Sequence, residues 1–176
     1  MPTVVALLRA VNLGAQRKFP PAAQRAATEA AGGTAVETHL HTGNVRLTTR
    51  RRSRPLLEAA LERAYLADRG FEVPTVVLGL AELATVAEDV ERLGAGHEGL
   101  HYVSFLKHEP DEPRRAAAGS LSRPGERAVL LGRAVHLLVP PAGHRTRLSN
   151  ATVERVLGTA TNRNATVVRA MAAKWC

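Results

Sequence analysis

"AVETHLHTGNVRLTT", residues 35–49, is two alternating segments joined by Thr-Gly-Asn. Val45, Arg46, Leu47 and Thr48 alternate cleanly, which is the two-residue period of a strand with one dry face. Gly43 and Asn44 tolerate the backbone of a tight turn. The stretch therefore predicts a β-hairpin, and its flanks decide which fold the hairpin belongs to.

Upstream, "AAQRAATEAAGG" at 22–33 follows Pro20 and Pro21 and ends in two glycines. Proline in a first turn and glycine after a last turn mark the two ends of a helix. Before it, "TVVALLRAV" at 3–11 is apolar on both alternating faces, as a central strand buried on each side requires. Downstream, Leu57, Leu61, Ala64 and Tyr65 share one helical face until Gly70 ends the run. "FEVPTVVL" at 71–78 then forms a fourth strand. Pro74 has no N–H to give a ladder, so this strand belongs at an edge. The order is βαββαβ, the split βαβ or ferredoxin-like unit.

A second copy follows. A helix over "LAELATVAEDVERLG" leads to a strand "LHYVSFLK", a helical "DEPRRAAAGSL", a hairpin turning at Gly132-Arg133, and a helix "ATVERVLG". The fold class expected is α+β, with two ferredoxin-like subdomains. The first spans 1–79, and the second, read as αβαββα, spans 80–176. A C-terminal helix, "RNATVVRAMAAKW", offers Val167, Val168, Met171 and Trp175 for packing.

The 176 residues are 45% apolar, enough for a real core. The one cysteine, Cys176, allows no internal disulfide, and no segment reads as a signal peptide or membrane helix. A cytoplasmic setting without a membrane partner is expected. The net charge of +8 attracts anions. "RRRSR" at 50–54 lies between a strand and a helix and reads as a solvated loop. "VVALL" and "VRLTT" carry no aromatic for base stacking, so a small anion is favoured over nucleic acid, which is left only backbone contacts. No phosphate-loop, zinc-protease or hydrolase signature occurs, so no cofactor or metal is expected, and the sequence sets neither the catalytic residues nor the oligomeric state.

In a split βαβ unit the first two strands run parallel with the third antiparallel between them. The end of strand one, the start of helix one and the hairpin turn then lie at one end of the sheet. Arg9, Asn12, Gly14 and Lys18 thereby meet Thr42, Gly43 and Asn44. Two cations balance charge, the amides donate and accept, and the glycines let backbone approach a ligand. Neither segment holds a carboxylate. Pro20 and Pro21 withdraw two amides from the helix start. His39 and His41, spaced to share a strand face, read as surface or turn histidines. The corner is predicted to bind a phosphate-bearing or other anionic ligand. The alternatives are an enzyme acting on a phosphorylated substrate and an interaction module whose polar cluster only braces the fold.

"ALLRAVNLG" at 6–14, "THLHTGNV" at 38–45 and "LGTATNRN" at 157–164 resemble, in this order, the bacterial family of domain of unknown function 1697. The resemblance implies two α+β subdomains of repeated βαββ units and no established activity. It marks Arg9, Asn12, Gly14, Lys18, Gly43, Asn44, Arg163 and Asn164. It also implies that Arg163 and Asn164 begin the last helix, which folds back over the corner. Ala10 and Ala15 stand where the family usually has glycine, and Ala165 where an aromatic usually follows Arg-Asn.

Overall fold

The apolar run near the start becomes β1 (Thr3–Leu8), in which Val5 through Leu8 are fully buried. In the computed structural model, which describes residues 1–176, it is followed by α1 (Pro21–Ala30), β2 (Thr34–His39), β3 (Asn44–Thr48), α2 (Arg54–Arg69) and β4 (Thr75–Gly79). The strands form one antiparallel sheet in the order β2-β3-β1-β4. This is the expected split-βαβ topology, with β1 and β3 central and the Pro74-preceded β4 at an edge. Ala6, Leu8, Val45 and Leu47 of the sheet share a core with Ala27 of α1 and Leu57, Leu61 and Tyr65 of α2. Tyr65 is wholly buried, and its hydroxyl meets Thr28 Oγ1 at 2.8 Å, which joins the two helices. Burial raises its pKa, so the phenol stays protonated.

The second unit repeats the plan after α3 (Leu80–Gly94). β5 (Leu100–Leu106), α4 (Glu112–Ala117) with a 3₁₀ turn at Ala118–Leu121, β6 (Arg127–Leu131), β7 (Ala134–Val139), α5 (Asn150–Leu157), β8 (Ala160–Asn164) and α6 (Ala165–Trp175) follow in order. The sheet order is β6-β7-β5-β8, again antiparallel throughout. The fold is therefore α+β, two four-stranded sheets with a C-terminal helix. By contacts the units are Met1–Glu82 with Trp175, and Leu83–Lys174 with Cys176. No helix is long and apolar enough to cross a membrane.

β8 is a strand that the sequence reading lacks. "ATNRN" has neither an apolar run nor an alternation of apolar and polar residues, and it is short. It is a strand because it pairs with β5 over five residues, from Leu106↔Ala160 to Tyr102↔Asn164. Tertiary pairing has overridden weak local preference.

Each sheet has two edges whose outward N–H groups need acceptors. On β4 they find carboxylates of α2: Thr75 N–H donates to Glu62 Oε1 at 2.8 Å and Val77 N–H to Glu58 Oε1 at 2.9 Å. The four-residue period of the helix matches the two-residue period of the strand running the other way. Glu154 of α5 repeats the arrangement on β8, accepting Ala160 N–H at 3.0 Å. On β6, Ser122 Oγ accepts Ala128 N–H at 3.0 Å. β2 is instead broken between Thr34 and Glu37 by a register shift, with Ala35 at φ +48°.

Glu58 is buried, so its removal leaves a buried strand N–H without its acceptor. Glu58→Ala should lower unfolding free energy by about 1–3 kcal/mol in urea denaturation. An unchanged midpoint and slope would show that water replaces the carboxylate.

Candidate functional site

The chain does not run straight from β1 into α1. It turns back on itself, with Asn12 N–H donating to Arg17 O at 2.9 Å and Gln16 N–H to Leu13 O at 3.2 Å, and with Gly14 and Ala15 at the tip. Ala10, Asn12, Gly14 and Arg17 have φ of +56°, +54°, +57° and +53°. Glycine adopts this conformation freely, whereas an alanine there is strained by roughly 1–2 kcal/mol.

Asn12 ties this loop down. Its Oδ1 accepts Phe19 N–H at 2.7 Å, and its Nδ2 donates to Phe19 O at 2.8 Å and to His41 O in the hairpin turn. Arg17 holds the other side, with Nε donating to Ala10 O, Nη2 to Glu72 O, and its guanidinium 4.6 Å from the Phe71 ring centre. Sequence reading did not single out Arg17, whose role depends on where Glu72 and Phe71 lie in space.

The hairpin turn presses against the end of β1. A Cβ on Gly43 would stand 2.6 Å from Leu8 Cβ and 2.8 Å from Val11 Cγ2, and its φ is +77°, so only glycine fits. Gly43 O accepts Leu8 N–H at 2.8 Å. Asn44 is fully buried, and its Nδ2 donates to His39 O at 2.9 Å and to Thr42 Oγ1 at 3.0 Å. Asn12, Thr42, Gly43 and Asn44 thus meet as the topology predicts, and these hydrogen bonds of the two amides all go to protein groups. β2 ends at His39 and Leu40 takes φ +59°, so the strand period that would align His39 with His41 stops short.

Gly14 and Lys18 lie at the exposed margin. Lys18 O receives a long bond of 3.4 Å from Arg69, while its ammonium makes no ion pair. Arg9 is half-buried and its N–H donates to Pro74 O at 2.9 Å. Arg50, Arg51 and Arg52 are exposed between β3 and α2, and Arg54 opens α2 and pairs with Glu82 at 3.0 Å.

Arg163 does not begin the last helix, and Asn164 is its N-cap. Both lie in β8, where Arg163 faces Val103 and Asn164 faces Tyr102 across the ladder. Arg163 is buried, its Nη1 donating to Thr161 Oγ1 at 2.9 Å and Asn162 O at 2.7 Å, and burial lowers its pKa to about 10. Asn164 caps α6, its Oδ1 accepting Thr166 N–H at 2.8 Å. It also lines a hollow of about 240 Å³ with His97, His101 and Arg169, the last paired to Glu91.

Two histidines form a pair inside the second sheet. His101 Nε2 lies 3.1 Å from His136 Nδ1, and burial is the chief cause that lowers both pKa values to about 4. Their neighbours in "LHYVSFL" and "AVHLLV" are largely apolar, which was the available signal for buried, neutral rings.

Two consecutive split-βαβ units define the class of protein. Residues 1–136 match the family described as protein of unknown function DUF1697, and the chain belongs to that family. The match ends within β7, so Arg163 and Asn164 lie beyond it. Among solved structures, the fold is similar to that of the conserved bacterial protein SP0830 from Streptococcus pneumoniae. The TM-score is 0.74 at 17% identity, over 98% of this chain and 97% of that one. No curated protein matches the chain.

Two outcomes follow from these residues. Ala10→Gly should raise unfolding free energy by about 1 kcal/mol by relieving the left-handed backbone, read from the urea midpoint. A loss would mean that the methyl group is needed in packing. For the histidines, a folded pKa below the unfolded value of about 6.5 means that the unfolded chain binds protons more tightly. Their contribution is therefore complete above about pH 6.5 and is lost as pH falls toward 4. Proton NMR should show both imidazoles neutral at pH 5.5, with urea stability falling across that window. Rings titrating near 6.5 would contradict it.

Proposed function

We propose that the first unit binds a small anion, phosphate-bearing in its simplest form, at the corner between the end of β1 and the hairpin turn. The observation that carries this reading is the braced loop of residues 10–19. Its exposed tip is held by Asn12 and Arg17 through backbone strained at Ala10, and strain fixed in an exposed loop is a common mark of a functional segment. The loop presents Lys18 without a carboxylate partner, and Arg9 adds a second positive charge nearby in sequence. In this reading Asn12, Thr42, Gly43 and Asn44 shape the corner, while Lys18 and Arg9 supply charge. Nucleic acid is the less favoured ligand, because Arg50, Arg51 and Arg52 lie past the far end of β3 from the turn.

A second reading is favoured by the contacts of Asn12 and Asn44, whose amides already bond protein groups. The cluster would then be a brace inside an interaction module.

Lys18→Gln separates the two, since an exposed side chain without an ion pair can be changed at little cost to the fold. If the corner binds an anion, inorganic phosphate raises the melting temperature of the native chain, and Lys18→Gln diminishes that rise while leaving the phosphate-free melt unchanged. A phosphate effect that Lys18→Gln leaves intact, or none at all, favours the brace.

A further inference from the structure

Six arginines, Arg46, Arg54, Arg69, Arg92, Arg115 and Arg169, each reach a carboxylate. Arg123, Arg147 and Arg155 do not, and their side chains make neither an ion pair nor a hydrogen bond. They come from three different elements: the turn before β6, the loop after β7, and α5. All three line one hollow of about 240 Å³, and no carboxylate lines it with them. Three like charges in one concavity repel one another, and that arrangement is stabilised when an anion occupies the space.

The acid placed to neutralise them is engaged elsewhere. Glu126 closes the turn with Arg123, the two residues exchanging backbone hydrogen bonds of 2.8 and 2.9 Å. Its carboxylate points to the backbone of the next loop, where Oε1 accepts Arg147 N–H at 2.8 Å and Oε2 accepts Leu148 N–H at 3.0 Å. Hydrogen bonding from Thr146 and from those two amides holds its pKa below the ordinary carboxylate value, and the Arg123 charge contributes. Glu126 therefore fixes the segments that carry Arg123 and Arg147 without lining the hollow. It lines instead a larger neighbouring hollow of about 490 Å³, which Arg123 also borders. The hydroxyl protons beside the arginines are committed as well: Ser120 Oγ donates to Ala117 O at 2.7 Å and Thr152 Oγ1 to Ser149 O at 2.7 Å. The donors left for a ligand are guanidinium N–H groups, whose planar forks suit phosphate oxygens.

We infer that the hollow formed by Arg123, Arg147 and Arg155 in the second unit is a binding site for the di- or triphosphate group of a small molecule. Its volume is below the roughly 300–1,000 Å³ of pockets that enclose whole drug-sized ligands. It accepts a phosphate chain and leaves the remainder of the ligand outside. Three guanidinium groups match the charge of a diphosphate or triphosphate better than that of a single phosphate.

The experiment is isothermal titration of the full chain with inorganic orthophosphate, pyrophosphate and triphosphate at low and physiological salt. Saturable binding that depends on Arg123, Arg147 and Arg155 should appear, tighter for pyrophosphate than for orthophosphate. Arg123→Gln, Arg147→Gln and Arg155→Gln should each weaken pyrophosphate binding by about ten-fold or more. All three side chains are exposed, and thermal melts are the check that the variants fold. A chain carrying Arg50→Gln, Arg51→Gln and Arg52→Gln loses more charge than any of these variants and should bind pyrophosphate as the native chain does. Lys18→Gln should also leave pyrophosphate binding intact, which separates this site from the corner of the first unit. The inference is overturned by absence of saturable pyrophosphate binding at low salt. It is equally overturned by retention of binding in the Arg147→Gln, Arg155→Gln double variant, or by an equal loss in the Arg50 to Arg52 control.

Discussion

Backbone N–H groups that the fold cannot pair within its ladders are answered by carboxylates, and much of the molecule follows from that assignment. Glu58 and Glu62 serve β4, Glu154 serves β8, and Glu126 serves the loop after β7. A buried N–H without an acceptor is expensive, so these acids are fixed by the architecture. They are also withdrawn from the pool that could neutralise arginines. With 16 acids against 24 Lys and Arg, every carboxylate turned toward the backbone leaves more cation uncompensated at the surface. The basic character of the chain is thus concentrated where loops and helix ends carry arginine or lysine without a partner.

The corner of the first unit shows how topology turns polar residues into a rigid element. The split βαβ order brings the end of β1 to the hairpin turn, and one amide side chain, Asn12, joins them by bonding Phe19 and His41. Gly43 makes the approach close enough, since any side chain there would collide with Leu8 and Val11. The second unit repeats the strand order but meets the same need differently, through carboxylate-anchored turns. Similar frames have therefore acquired different polar surfaces.

The sequence carried the strand order of the first unit and the meeting of its two polar segments, because apolar periodicity and turn residues are local signals. It carried the edge position of β4 through Pro74. It did not carry β8, since "ATNRN" becomes a strand only by pairing with β5. That omission put Arg163 and Asn164 at a helix start, when Arg163 is a buried strand residue. The roles of Arg17 and Glu126 were equally hidden, because each bonds backbone far along the chain, at Glu72 and at Arg147 and Leu148. Ala10 lies between these cases. The resemblance notes an expected glycine there, and the positive φ supplies the physical reason for that glycine.

The treatment of the sheet edges bears on how this protein can meet other chains. An open edge strand invites an extended segment of another molecule to pair with it, which is the route to strand exchange and to fibrillar aggregates. Here two N–H groups of β4 are occupied by Glu58 and Glu62, one of β6 by Ser122 and one of β8 by Glu154, and β2 is kinked by its bulge. A foreign strand would have to displace a carboxylate or a hydroxyl at three of these edges and straighten a kink at the fourth. Strand addition therefore meets an occupied or kinked position on each edge.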